Sequence, residues 1–181
     1  MAITSISVCP SPSPPTISPV FKEEFLRDRY QQAVGLFADS PDADVKVYFH
    51  GGIWFGKEGA KRLYIERFQK QFTHGRNGPR FGFLLDHPMY QDVIDVSEDG
   101  KTAKGRFRCN MQAGLHESVW PKDPNAKFLK QWWEGALYEN EYIKENGIWK
   151  IKTLRYRPQW HATFEKGWAH TPAYTSLGMQ I

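Results

Sequence analysis

Residues 135–154 read GALYENEYIKENGIWKIKTL, and the folding of this stretch decides the rest. Glu145-Asn146-Gly147 stands between two runs rich in Tyr, Ile, Leu and Trp. Asn-Gly is the strongest short hairpin signal, because both residues accept the positive φ of a tight type I′ turn. The stretch therefore predicts two antiparallel strands. Side chains alternate across a strand, so residues 133–142 sort into two faces. Glu134, Ala136, Tyr138, Asn140 and Tyr142 share one, and Trp133, Gly135, Leu137, Glu139 and Glu141 share the other. The neighbouring acids Glu139 and Glu141 belong in water or in ion pairs, which turns the first set inward. After the turn, Trp149, Ile151 and Thr153 continue that inner side against Ile148, Lys150 and Lys152. A helix-covered sheet normally presents Val or Leu inward, whereas Glu134, Tyr138 and Asn140 suggest the wall of a polar pocket. Ordinary strand tyrosines with satisfied hydroxyls, and a core side at Trp133 and Leu137, remain the alternative.

Upstream, FKEEFLRDRYQQAVGLFAD places Phe21, Phe25, Tyr30, Val34 and Phe37 at three- to five-residue steps, the apolar face of a helix. DVKVYFH alternates as a short strand closed by Gly51-Gly52, and GAKRLYIERFQKQF predicts a second helix with Leu63, Phe68 and Phe72 on its core side. A strand follows through FGFLLDHPMYQDVIDV, interrupted by Pro88. KTAKGRFRCNM then alternates basic residues with Ala103, Gly105, Phe107, Cys109 and Met111, giving one wet and one buried face. The aromatic tail RPQWHATFEKGWAHTPAY is expected to pack across the sheet or its mouth. Helices first and mainly antiparallel strands afterwards predict an α+β domain with helices on one face of a curved sheet.

The length of 181 residues suits a single domain, 20–181, preceded by a Pro/Ser-rich extension over residues 1–19. Aromatic residues make up 15 % of the chain, seven of them Trp, which argues for a thick core or a ring-lined pocket. The net charge of +4 comes from 24 basic and 20 acidic residues mixed along the chain, which argues against a nucleic-acid surface. A nucleic-acid reading would rest on Lys101, Lys104, Arg106 and Arg108. Cys9 and Cys109 support neither a disulfide framework nor a cysteine zinc site. With no signal-peptide pattern and no long apolar run, a cytoplasmic protein away from membranes is expected.

Three stretches carry a family resemblance. VYFHGGIWFGKEGAKRLY, DHPMYQDVIDVSEDGKTAKGRF and ALYENEYIKENGIWKIKTLRY, in this order over residues 37–157, resemble the SnoaL-like, scytalone dehydratase-like branch of the nuclear transport factor 2-like superfamily. The resemblance implies a cone-shaped, strongly curved, mainly antiparallel sheet wrapped by N-terminal helices around a pocket. It also implies cofactor-free lyase, isomerase or cyclase chemistry and a homodimer or homotrimer, with Trp133 and Leu137 at the subunit contact. His87 in DHPMY matches the His that polarises or deprotonates substrate in scytalone dehydratase-like members, and Ala136, Tyr138 and Asn140 match their polar pocket strand. The hydroxyl-bearing residue expected near Ala136 is absent. The family's Tyr-Asp pair on an extra first helix has Asp28 and Tyr30 as its counterparts here; otherwise a different floor or a neighbouring subunit completes the pocket.

Histidine is the side chain that titrates nearest neutrality, and His87 beside Asp86 is the first candidate base. Tyr138, Asn140 and Glu134 join it as candidate catalytic groups. Tyr48, His50, Trp54, Tyr90, Phe107, Trp149, Trp160 and His161 are candidate substrate contacts, the rings by stacking and His50 through the open backbone of Gly51-Gly52. His50, His87, His161 and Glu134 have no metal-ligand spacing, and neither a nucleophile elbow nor a phosphate loop or dinucleotide fingerprint occurs. No metal and no cofactor are expected. The reading is a dehydratase, C–C lyase or cyclase acting on an aromatic, polyketide-like or terpenoid molecule. A non-catalytic binding or dimerisation module on the same fold is the alternative.

Overall fold

Asn146 and Gly147 both take positive φ, 50° and 82°, and close the predicted hairpin. Its arms are the longest strands of the chain's described residues, Gln131–Glu145 and Ile148–Thr163. The structure, a computed structural model, describes residues 30–76, 81–119 and 131–171. The Pro/Ser-rich extension, Phe21, Phe25 and Asp28 lie outside them.

In chain order the elements are α1 (Tyr30–Gly35), a 3₁₀ turn (Pro41–Ala43), β1 (Lys46–Phe49), β2 (Gly52–Phe55) and α2 (Gly56–Lys61). A π-wound segment (Arg62–Gln69) follows directly, then α3 (Lys70–Thr73), β3 (Phe83–Asp86), β4 (Met89–Val96), β5 (Thr102–Leu115), β6 (Gln131–Glu145), β7 (Ile148–Thr163) and α4 (Gly167–His170). The strands form one mixed sheet in the order β2-β1-β7-β6-β5-β3, with β4 also on β5. Every pairing is antiparallel except β1 with β7. The fold is α+β, as the sequence predicts. Side chains from β1, β3, β5, β6 and β7 line one cavity together with α1 and the π-wound segment, so the sheet curves around its helices.

Three local features differ from the sequence reading. Helix α1 ends at Gly35, and Phe37 bridges to Ile151 in parallel fashion with only 1 % of its surface exposed. GIWF, to which the sequence reading assigns no element, is a strand paired to β1 through His50 and Gly51, both at positive φ. Arg157–Thr163 of the aromatic tail do not cross the sheet's mouth; they prolong β7 and pair with β6.

The predicted inner face of β6 is buried throughout: Glu134, Ala136, Tyr138, Asn140 and Tyr142. On β7 the period slips. The pairing runs Glu141 with Thr153 but Tyr142 with Ile151, an irregularity that leaves Lys152 as an extra residue. Thr153 consequently sits beside Glu141, whose Oε2 accepts its hydroxyl at 3.2 Å, while Leu154 and Tyr156 turn inward. A second slip, from Gly135–Trp160 to Ala136–Pro158, brings His161 opposite Glu134 and sends Trp160 over Gly135.

Candidate active site

Pro88 lacks a backbone N–H and interrupts strand pairing. Here it separates β3 from β4, which lie end to end along β5, and His87 stands at the break. Released from the ladder, His87 reaches a cavity of about 100 Å³. The floor and walls are mostly rings: Phe49 from β1, Tyr64 and Phe68 from the π-wound segment, Phe72 from α3, Trp132 from β6 and Tyr156 from β7. Phe49 and Tyr156 stack at 5.3 Å between centroids, and Tyr138 meets Tyr156 at 5.0 Å.

Two polar groupings face this apolar space. In the first, His87 Nδ1 lies 3.2 Å from the Tyr138 hydroxyl and 3.9 Å from the Cys109 sulfur. Burial pushes the His87 pKa down to about 4, against a smaller opposing pull from Glu134, so the imidazole is neutral at pH 7. Burial likewise holds Tyr138 protonated far above its ordinary range and raises Cys109 to about 12. Cys109 is thus a thiol that packs, not a nucleophile.

In the second, the buried Glu134 carboxylate accepts a 2.8 Å hydrogen bond from the Tyr156 hydroxyl, and His161 Nδ1 stands 3.5 Å from its other oxygen. Burial pushes this carboxyl up, yet His161, Tyr156 and the nearby His50 together outweigh it, and the net displacement is downward. Glu134 is ionised at neutral pH. His50 contacts the grouping through ring packing on Phe49 and Tyr156; burial lowers its pKa in spite of Glu134.

Of the candidate catalytic residues, His87, Tyr138 and Glu134 line the cavity. Asn140 does not. It donates to the Tyr142 hydroxyl at 3.0 Å and accepts from the Arg155 backbone N–H, which ties β6 to β7 below the cavity. Among the candidate substrate contacts, His161 and His50 border the Glu134 grouping, and the six others fall elsewhere. Tyr48 lies under the Arg155 guanidinium, Trp54 under Arg67 and Trp149 under Lys144. Tyr90 is on an exposed stretch of β4, Phe107 is packed in the core opposite Tyr138, and Trp160 covers Gly135 on the other face of the sheet. Tyr156 and Tyr64 are the polar residues the sequence reading missed. Strict alternation from Trp149 puts Tyr156 outward, and only the extra residue at Lys152 reverses it. Tyr30, the proposed counterpart of the family's tyrosine, does line the cavity.

Among the described residues, no three His, Cys, Asp or Glu side chains are grouped to hold a metal ion, and no helix is long and apolar enough to cross a membrane.

A curved sheet folded over helices around a ring-lined cavity defines a class of α+β pocket domains. Within that class the chain belongs to the SnoaL-like domain family, whose model matches residues 27–155. Solved structures agree on the fold. A candidate scytalone dehydratase from Novosphingobium aromaticivorans is 15 % identical with a TM-score of 0.58, covering 89 % of this chain and 88 % of its own. The hexachlorocyclohexane dehydrochlorinase LinA type 3 from Novosphingobium barchaimii is 16 % identical with a TM-score of 0.53, covering 80 % of each chain. Aln2 from a Streptomyces species is 10 % identical with a TM-score of 0.54, covering 76 % of this chain and 81 % of its own. No curated protein matches the sequence.

Proposed function

We propose that the cavity is the active site of a cofactor-independent lyase or isomerase that works by acid/base catalysis on a small hydrophobic, ring-bearing molecule of aromatic, polyketide-like or terpenoid kind. One observation carries this reading: a neutral, partly buried imidazole held on a protonated phenol inside an aromatic cavity. His87 accepts a proton from an activated C–H or O–H of the substrate. Tyr138 donates to the oxygen on which negative charge develops, and loss of a leaving group or ring rearrangement follows. Such proton transfer contributes about 10²–10⁴-fold per group. Two of the similar folds are named as a dehydrochlorinase and a candidate dehydratase, both eliminations.

The test does not need the natural substrate. A panel of aromatic and alicyclic ketones in D₂O is followed by ¹H NMR for loss of the signals α to the carbonyl. Wild type should accelerate exchange for some members well above buffer, and His87→Gln should return it to the buffer rate. No acceleration for any ketone that binds, or equal rates in wild type and His87→Gln, would leave the domain a binding module.

A further inference from the structure

Among the described residues, those of the cavity wall that carry a polar group are Tyr30, Tyr64, Trp132, Tyr138, Tyr156, His87 and Glu134. Among the described residues, no Lys or Arg lines it. Arg67 acts on His50 from a distance, but its guanidinium sits 5.8 Å over the Trp54 ring, outside the wall. His87 is neutral, so among the described residues the fixed charge in the wall is the negative one on Glu134, with His161 Nδ1 3.5 Å from it and His50 nearby. Beside Glu134 is the Tyr156 ring with Phe49 stacked on it, and the same cavity is lined by Phe68 and Phe72. An aromatic ring carries negative potential on its faces and attracts a cation, most strongly when both are out of water. A carboxylate or phosphate ligand would meet repulsion from both the rings and Glu134. A neutral ligand would gain burial and hydrogen bonds but nothing from the charge on Glu134.

We infer that the ligand of this cavity is an organic cation, a small ring-bearing protonated or quaternary amine whose charge lies near Glu134, among the rings that line the cavity. This rests on the reading of the cavity as the ligand site, and it narrows the substrate to a molecule bearing a basic nitrogen. A cavity of about 100 Å³ has room for several waters, hence for a ligand of about ten heavy atoms.

The test uses two molecules of one shape, phenyltrimethylammonium and tert-butylbenzene, which differ in a charged nitrogen against a carbon. Each is titrated into the full chain at pH 8, above the ordinary imidazole value of about 6.5, while the Met111 methyl and the His87 ring are followed by NMR. The cation should bind about tenfold tighter or better. Glu134→Gln should remove most of that preference without weakening tert-butylbenzene, which also reports that the variant cavity is intact. Equal affinities in wild type, or tighter binding of the neutral molecule, would overturn the charge inference and leave the cavity reading in place. If neither molecule moves the Met111 or His87 signals, the cavity is not a ligand site, and the proposed function falls with it.

Discussion

His87 owes its chemistry to burial, and that gives its titration a definite sign. Its neutral form is competent as a base and predominates above about pH 4. Ring NMR signals of His87 should therefore titrate with a midpoint near 4, and the acid limb of kcat/KM should fall there and not near 6.5. Tyr138→Phe should leave this midpoint low, since desolvation sets it, while the D₂O exchange rate falls about 10²-fold or more. A midpoint near 6.5 would mean a solvated imidazole. Glu134 offers the opposite case. Burial favours its protonated form, and hydrogen bonds hold it ionised. Tyr156→Phe removes one of those bonds, so the Glu134 carboxyl should titrate at higher pH than in wild type, as read from its ¹³C side-chain shift. His87, Tyr138 and Glu134 were legible in the sequence because a Pro break and a clean period-two run fixed their positions. Tyr156 was not, because its direction depends on a bulge that no residue type announces.

At the scale of elements, the hairpin was legible through its turn and its faces, and the two slips along β6 and β7 were hidden. The second slip can be tested through Gly135. A Cβ at this position would fall within the indole of Trp160, against Nε1, Cε2 and Cδ1. Gly135→Ala should therefore cost about 1–3 kcal/mol, the usual range for overpacking, read as a lower urea midpoint at unchanged slope. Trp160→Ala opens the space, so adding Gly135→Ala on that background should cost much less than in wild type. Equal costs in the two backgrounds would mean that Trp160 does not lie over Gly135. Trp160 was named a pocket residue for its ring in the aromatic tail, and this second slip turns it to the other face of the sheet. Alternation from Tyr156 through Pro158 would carry it inward, and the extra Gln159 in β7 puts His161 there instead.

For the whole molecule, helices followed by strands predicted the α+β class, but the curvature that makes a cavity emerges only when distant segments meet. Phe49, Tyr64, Leu85, Met111 and Tyr156 are far apart in sequence and share one wall. Enclosing a neutral histidine in that wall has a thermodynamic consequence. The His87 pKa is about 4 in the folded chain and about 6.5 when unfolded. Above pH 6.5 both states hold the neutral ring, and its burial carries no protonation penalty. As the pH falls below 6.5 the unfolded chain binds a proton that the folded chain refuses. Folding therefore weakens, approaching 1.4 kcal/mol per pH unit and about 3 kcal/mol in all by pH 4. His50, also lowered by burial, adds in the same direction, and Glu134 contributes further loss only at more acid pH, below the ordinary carboxylate range. Urea unfolding between pH 7.5 and 4.5 should show this decline in wild type. In His87→Gln, whose amide does not titrate, the decline should be shallower by up to that slope, whatever the substitution does to stability at pH 7.5. Parallel curves for the two proteins would show that His87 is open to water in the folded state, and the cavity would then lack the desolvated neutral base on which its proposed chemistry depends.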